Sequence, residues 1–186
     1  RNVVAVLPLP EETVLLGTNV GLVEWSGDDR PVREFHLPES PRGTEITAAV
    51  RDGDGAIYVG TTRGLALLDR TQAPGLRLVP GLPPGSVLAL LARTGRPLLV
   101  SIADQGVFEG GPGAFRRLGD DQAPGARVLS LLAEQDDPDV LWLGTDRSGA
   151  FCRREGRFEP FATTEGLSNN RVPAFFEDRE GILWFG

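Results

Sequence analysis

Carboxylates offer the first chemistry to weigh. Asp52-Gly53-Asp54-Gly55 has the look of a calcium loop, and Asp136, Asp137 and Asp139 crowd into four residues. A calcium loop needs about six oxygen ligands with a bidentate acid downstream, and neither stretch supplies that. The spacing reads instead as turn chemistry, with Asp52 and Asp178 accepting hydrogen bonds from backbone amides of a hairpin. Paired acids for glycoside hydrolysis would have to converge to about 5 to 10 Å from separate parts of the chain. His36 is the only histidine, which removes a histidine-cluster metal site and weakens a nucleophilic triad. Beside Phe35 it reads as a surface residue of an outer strand. Cys152 stands alone, so no intramolecular disulfide can form, and beside Phe151 it reads as a small core hydrophobe. No catalytic residue, metal site or cofactor is assigned on these grounds.

The elements that hold these residues repeat. The stretch LWLGTDRSG at Leu141 to Gly149 has counterparts in IYVGTTRG from Ile57, VLLGTNVG from Val14, LLVSIADQG from Leu98 and ILWFG from Ile182. The residue closing each apolar run is Gly17, Gly60, Ser101, Gly144 or Gly186, at intervals of 41 to 43 residues. A period of that size marks a repeat architecture. Upstream of each lies a second element, beginning at Val3, Ile46, Val87, Val128 and Val172, whose third residue is always small: Ala5, Ala48, Ala89, Ser130, Ala174. Such small side chains suit crowding, as where several sheets converge on one axis.

The VLALL-type and LWLG-type segments end in turn residues at fixed offsets, which favours strands over a helix. A third strand opens at Gly21, Gly64, Gly106 and Gly149, and a weaker fourth surrounds Phe35, Leu78, Leu118 and Phe161. The second strand is apolar on both faces, so sheets must stack on both of its sides. Tyr58, Trp142 and Trp184 recur at one repeat position and read as packing between sheets, whereas Trp25 has no counterpart. Four antiparallel strands per repeat give an all-β fold, a β-propeller with a repeat of about 42 residues. The expected blades are residues 3–45, 46–86, 87–127, 128–171 and an incomplete 172–186, forming one partial propeller domain over 1–186.

Composition agrees and excludes some partners. Gly (24) and Pro (15) are too frequent for a helical protein. A net charge of −7, with all 19 basic residues arginine, argues against nucleic acid or an anionic membrane surface. No apolar run is long enough to span a membrane, so membrane association is expected only through parts of a parent protein.

With the repeat in place, EGLSNNRVPAFFEDREGILWFG from Glu165 resembles the two-component regulator propeller family: Gly-Leu, a Val, then Asp, Gly, Leu-Trp and Gly. GLPPGSV at Gly81 and DGDGAIYVGTTRGL at Asp52 follow the same frame, while the first and third copies lack the loop Asp and the aromatic. The resemblance implies a seven-bladed ring, of which this chain is an arc of four blades and half of a fifth. It implies a periplasmic or extracellular sensor domain of bacterial hybrid histidine kinases and related receptors, many of which bind glycans.

Chain direction puts the turns between second and third strands on one face with the loops that return to the next blade. That face carries the expected ligand-binding set: Asn19, Arg63, Asp104, Gln105, Asp146, Arg147, Asn169, Asn170 and Arg171, with Glu45 nearby. The opposite face carries Glu11, Glu12, Asp52, Asp54, Asp136, Asp137, Asp178 and Glu180, an acidic surface suited to solubility. The leading expectation is a non-catalytic sensor domain for a small molecule or oligosaccharide. The exposed blade ends are expected to meet the remainder of the propeller or another chain. A propeller enzyme, glycoside hydrolase or lyase, and a protein-docking scaffold are the alternatives.

Overall fold

Antiparallel strands, each hydrogen-bonded to its neighbour in sequence, build every sheet of the protein. The structure, a computed structural model, describes residues 2–10, 12–27, 33–40, 43–71, 75–119 and 127–186. The first sheet holds β1 (Val3–Pro8), β2 (Val14–Thr18), β3 (Gly21–Trp25) and β4 (Arg33–Phe35). The second holds β5 (Ile46–Arg51), β6 (Ile57–Thr61), β7 (Gly64–Leu68) and β8 (Leu76–Leu78). The third is built from β9 (Val87–Leu91), β10 (Leu98–Ile102), β11 (Gly106–Gly111) and β12 (Ala114–Arg117). The fourth contains β13 (Val128–Ala133), β14 (Leu141–Thr145), β15 (Ala150–Arg154) and β16 (Arg157–Phe161). β17 (Phe175–Glu177) and β18 (Leu183–Phe185) form a two-stranded fifth. The fold is the all-β propeller arc expected, with a single 3-10 turn at Thr163–Glu165 among the described residues.

The first strands β1, β5, β9, β13 and β17 lie in succession, each against the next, along the inner edge of the arc. Each of the first four carries a bulge of one residue, at Val4, Thr47, Leu88 and Leu129. Bulges strengthen local twist, and their recurrence keeps the blades alike.

Burial of both sheet faces follows from the alternation in the second strands. The central residue of each looks forward to the next blade, and its flanking neighbours look back. Leu15 and Leu22 therefore pack with Ile57, Val59 and Leu76 of the following sheet. Tyr58 and Leu65 meet Leu98, Val100 and Ile102, and Leu99 and Val107 meet Leu141 and Leu143. Trp142 continues the pattern, with its ring 5.4 Å from Phe185 and 6.4 Å from Phe175 of the fifth sheet. Trp184 holds the same repeat position but is 57% exposed, because no described sheet packs on the far side of the fifth. Trp25 does have a structural counterpart: it pairs with Val14 as Arg153 pairs with Leu141, on the uncovered outer side of the first sheet.

The small third residues of the first strands sit opposite the glycines of the second. Ala5 pairs with Gly17, Ala48 with Gly60, Ala89 with Ser101 and Ser130 with Gly144. Ala89 and Ser130 are buried, and Ala5 and Ala48 are half-buried. Ala174 differs: its carbonyl accepts from the Gly186 amide at 3.0 Å, so the register holds, yet it is exposed on the uncovered fifth sheet. Glycine is required in the second strand by what approaches it. A Cβ at Gly17 would lie 2.6 Å from Ile46 Cγ2, and one at Gly60 would lie 2.8 Å from Val87 Cγ1 and 2.9 Å from Thr47 Oγ1. The nearest atom struck belongs in each case to the first residue of the next blade's first strand.

The third blade replaces that glycine with Ser101, whose hydroxyl donates to the Val128 carbonyl at 2.7 Å. Ser130 makes the analogous bond to the Val172 carbonyl at 2.9 Å. The threonine after the glycine closes the next turn: Thr18, Thr61 and Thr145 donate to the carbonyls of Gly21, Gly64 and Gly149 at 2.7 to 2.8 Å.

Two outcomes are expected from this packing. Gly60→Ala should destabilise the protein by about 1–3 kcal/mol through overpacking. Gly111→Ala, where an added Cβ meets nothing within 4 Å, should stay within about 0.5 kcal/mol; urea unfolding of both variants checks the contrast. Trp142→Ala should cost about 3–5 kcal/mol by emptying the layer between the fourth and fifth sheets. A calorimetric loss below about 1 kcal/mol would remove Trp142 from the core.

Candidate functional site

The turns between second and third strands of the first, second and fourth blades are anchored by a threonine, and all four turns leave their tip residues outside the sheet. Asp104, at φ 60°, occupies the tip after β10, and Asp146 and Arg147 occupy the tip after β14. Arg127 enters beside them because it immediately precedes β13, and its carbonyl accepts from the Asp146 amide at 3.0 Å. Together with Ser148 these side chains line a cavity of about 430 Å³.

Its charges interlock loosely. Arg127 Nε lies 3.9 Å from Asp104 Oδ1, and Arg147 Nε lies 3.8 Å from Asp146 Oδ2. Arg171, from the loop leading to the fifth sheet, donates through Nε to Asp146 Oδ1 at 3.3 Å. Three guanidinium groups thus face two carboxylates contributed from two successive blades. The side chain of Arg147 is 90% exposed and that of Asp104 76% exposed. Such open ion pairs contribute little to stability.

Of the nine residues expected at a site, the structure therefore gathers Asp104, Asp146, Arg147 and Arg171. Asn169 and Asn170 sit next to them with structural duties. Asn169 Oδ1 accepts from the Arg171 amide at 2.9 Å, and Asn170 Oδ1 accepts from the Thr163 amide at 3.0 Å. Gln105 lies in the same turn as Asp104, its amide bonded to the Ile102 carbonyl at 3.1 Å. Arg63 and Asn19 stand apart. Arg63 Nη1 donates to the Glu39 carbonyl at 3.2 Å and borders a groove of about 230 Å³ with Leu37, Pro38 and Leu78. Asn19 Oδ1 accepts from the Asn2 amide at 3.4 Å. Arg127 and Ser148 were not among the expected residues. Arg127 belongs to a return loop, so the argument from chain direction already contained it.

The opposite face shows the turn chemistry expected of its acids. Asp52 Oδ1 accepts from the amides of Asp54 and Ala56 at 3.0 and 2.8 Å. Asp178 Oδ1 does the same for Glu180 and Ile182, both at 3.0 Å. Its Oδ2 accepts from Trp184 Nε1 at 2.8 Å, and that bond first, then the amides, holds the Asp178 carboxyl below its ordinary range. Asp137 repeats the pattern with the Asp139 amide at 3.0 Å. Glu11 lies outside the described residues. Among the described residues no group of three His, Cys, Asp or Glu side chains is placed to hold a metal ion. His36 is exposed at the end of an outer strand. Cys152 is buried, and burial raises its thiol pKa. A further cavity, about 500 Å³, opens on this side of the arc between the first two sheets, not on the turn face.

Comparison with known proteins follows the same lines. Over all 186 residues the chain superposes with a TM-score of 0.81, at 22% identity, on an extracellular domain from B. thetaiotaomicron. That protein is named as the hybrid two component system BT4673, and this chain spans 26% of its length. PorZ of Porphyromonas gingivalis, a surface component of the type-IX secretion system, matches at a TM-score of 0.78 and 14% identity over 99% of this chain and 30% of its own. Virginiamycin B lyase from Staphylococcus aureus matches at 0.75 and 11% identity, over 98% of this chain and 62% of its own. At these identities the likeness is one of fold. No curated protein matches the sequence. The sequence model of the two-component regulator propeller matches residues 166–186, from the glycine before Leu167 to the end of the fifth sheet. That match makes the last repeat similar to the two-component regulator propeller, and the stacked four-stranded sheets give the chain a propeller fold.

Proposed function

We propose that this chain is a non-catalytic, ligand-binding part of an extracellular or periplasmic sensor, and that its ligand is a small molecule or oligosaccharide held on the turn face. The observation that carries the reading is the gathering of Asp104, Arg127, Asp146 and Arg147 from two successive blades around one cavity, with Arg171 hydrogen-bonded to Asp146. Side chains of this kind hydrogen-bond hydroxyl and carboxylate groups in varied directions, and arginine does so bidentately. Their mutual pairing is exposed and weak, so a ligand displaces little when it binds. The likeness to an extracellular domain named as part of a two component system supports the location and the sensor role. In the intact receptor, further propeller blades or another chain would cover the outer apolar faces, which expose Val4, Val6 and Trp25 on one side and Phe176 and Trp184 on the other.

The test is calorimetric titration of the protein with a panel of neutral and acidic oligosaccharides, with product analysis of each mixture. Arg147→Ala and Asp146→Ala should each weaken the ligand found by about tenfold or more, as loss of a charge-assisted hydrogen bond implies. The melting temperature should stay unchanged, since neither side chain is buried. Full affinity in both variants would sink the assignment of the site. Turnover of the sugar would sink its non-catalytic character and favour the enzyme alternative.

A further inference from the structure

The seam between the third and fourth sheets gathers a surplus of positive charge at the end opposite the turn face. Glu109 and Arg116, directly paired across β11 and β12, enter it from the third sheet. Glu109 also pairs with Leu99, whose side chain packs with Leu141 and Leu143, so both look toward the fourth sheet. Arg153 enters from the other side. It pairs with Leu141 and with Phe158, on the face of the fourth sheet that looks back to the third. Arg93 crosses the seam to the Pro138 carbonyl, and Arg96 reaches Asp139 at 2.6 Å. Four guanidinium groups thus meet two carboxylates, in a protein whose net charge is −7. None of these residues adjoins a segment outside the described ones. Glu134 and Glu159 belong to the opposite face of the fourth sheet, with Trp142 and Cys152. Asp136 and Asp137 are exposed in the adjoining hairpin, where Asp137 is bonded to the Asp139 amide.

The pairing leaves one cation over. Glu109 divides its oxygens: Oε1 lies 3.6 Å from Arg93 Nη2, and Oε2 accepts from Arg116 Nη2 at 2.9 Å. Asp139 is taken by Arg96. Arg153 has no hydrogen-bond or ion-pair partner for its guanidinium among the described residues, and lies with Cζ 5.9 Å from the centre of the Phe158 ring. Its Nε is enclosed by protein without an acceptor, as is that of Arg93, and donors so placed are costly. Burial lowers the Arg93 pKa, and Arg153 is near enough to lower it further. Arg116 is held through one nitrogen only, with its side chain 82% exposed, so its other N–H groups remain open to a ligand.

Like charges held in one seam repel, and an oxyanion relieves that repulsion while it supplies acceptors. Planar guanidinium groups match sulfate and phosphate oxygens, with most gain where water is partly excluded. We infer that this end of the seam is a second binding site, separate from the turn face, for a small oxyanion of the sulfate or phosphate kind. Arg153 is its principal partner and the open N–H groups of Arg116 its second, with Arg93 as a fixed positive charge beside them. Because Arg116 and Arg153 come from successive blades, the bound ion ties the third sheet to the fourth.

Sulfate is the probe, titrated calorimetrically into the 186-residue protein, with sodium chloride of equal ionic strength as the reference. Saturable binding of sulfate is expected, and none of chloride. R153Q should weaken it by about tenfold or more, as loss of a charge-assisted contact implies. R116Q should weaken it by a smaller factor, and its exposed position lets it report on the site even where R153Q disturbs folding. R157Q, which removes the same charge from the opposite face of the fourth sheet, should leave affinity as it was. The inference is overturned if sulfate shows no saturable binding, if chloride binds equally well, or if R157Q loses as much as R153Q. Native affinity in R153Q, or in R116Q should R153Q not fold, overturns it as well.

Discussion

Close approach at the inner end of the blades is the constraint on which the rest depends. In the first two blades the backbone of the second strand comes so near the next first strand that a single methyl does not fit, as the Ile46 and Val87 contacts to Gly17 and Gly60 show. Where the sequence departs from glycine, the extra atom is hydrogen-bonded in place: Ser101 answers the crowding by donating to the Val128 carbonyl. Ser130, opposite Gly144, uses the same solution one blade on. A polar atom buried there would be costly without that partner. Every blade thus fixes the distance and tilt of its successor. Stability passes along the arc through neighbour contacts, as in other repeat architectures.

This constraint is also why the fold was legible in the sequence. Positions squeezed between sheets admit few residue types, so the glycine, the small residue of the first strand and the large central side chain recur at one interval. Leu15, Tyr58, Leu99 and Trp142 show how loose the central position is in kind and how strict in place. The turn aspartates were legible for a related reason, because Asp52 and Asp178 satisfy backbone amides that any copy of that hairpin presents. Thr18, Thr61 and Thr145 stood in plain view in the repeated Gly-Thr pair, yet their role as clamps of the turn emerges only with the backbone traced. Trp25 had no sequence counterpart since its structural equivalents are Leu68 and Arg153, which share its register but not its chemistry.

The candidate site was legible only as a face. Chain direction alone sorts loops to one side or the other, and Asp104, Asp146, Arg147 and Arg171, which it assigns to one side, do lie together in the structure. It could not say that Arg63 would turn to Glu39, nor that Arg127 would enter, because those outcomes depend on loop path and side-chain reach.

Arginine performs opposite tasks on the two sides of the arc, and exposure separates them. Arg93 is almost wholly buried, its side chain 6% exposed, and it donates to the Pro138 carbonyl of the next blade at 2.9 Å and the Pro97 carbonyl at 3.4 Å. Glu109 lies 3.6 Å away and opposes the downward pull of burial on the Arg93 pKa. Removing water from such a pair makes each partner dependent on the other, since a lone buried charge is far costlier than the pair. Arg147 and Asp146 sit at a similar separation with the Arg147 side chain 90% and the Asp146 side chain 29% exposed, so the same Coulomb attraction is more screened and replaceable. The absence of lysine fits both uses: a flat five-donor group can bridge two blades when buried and meet a ligand's oxygens when exposed. A chain that ties two blades together with a buried arginine can therefore leave other arginines weakly paired at the surface without loosening the stack, and those are the ones free to change partners.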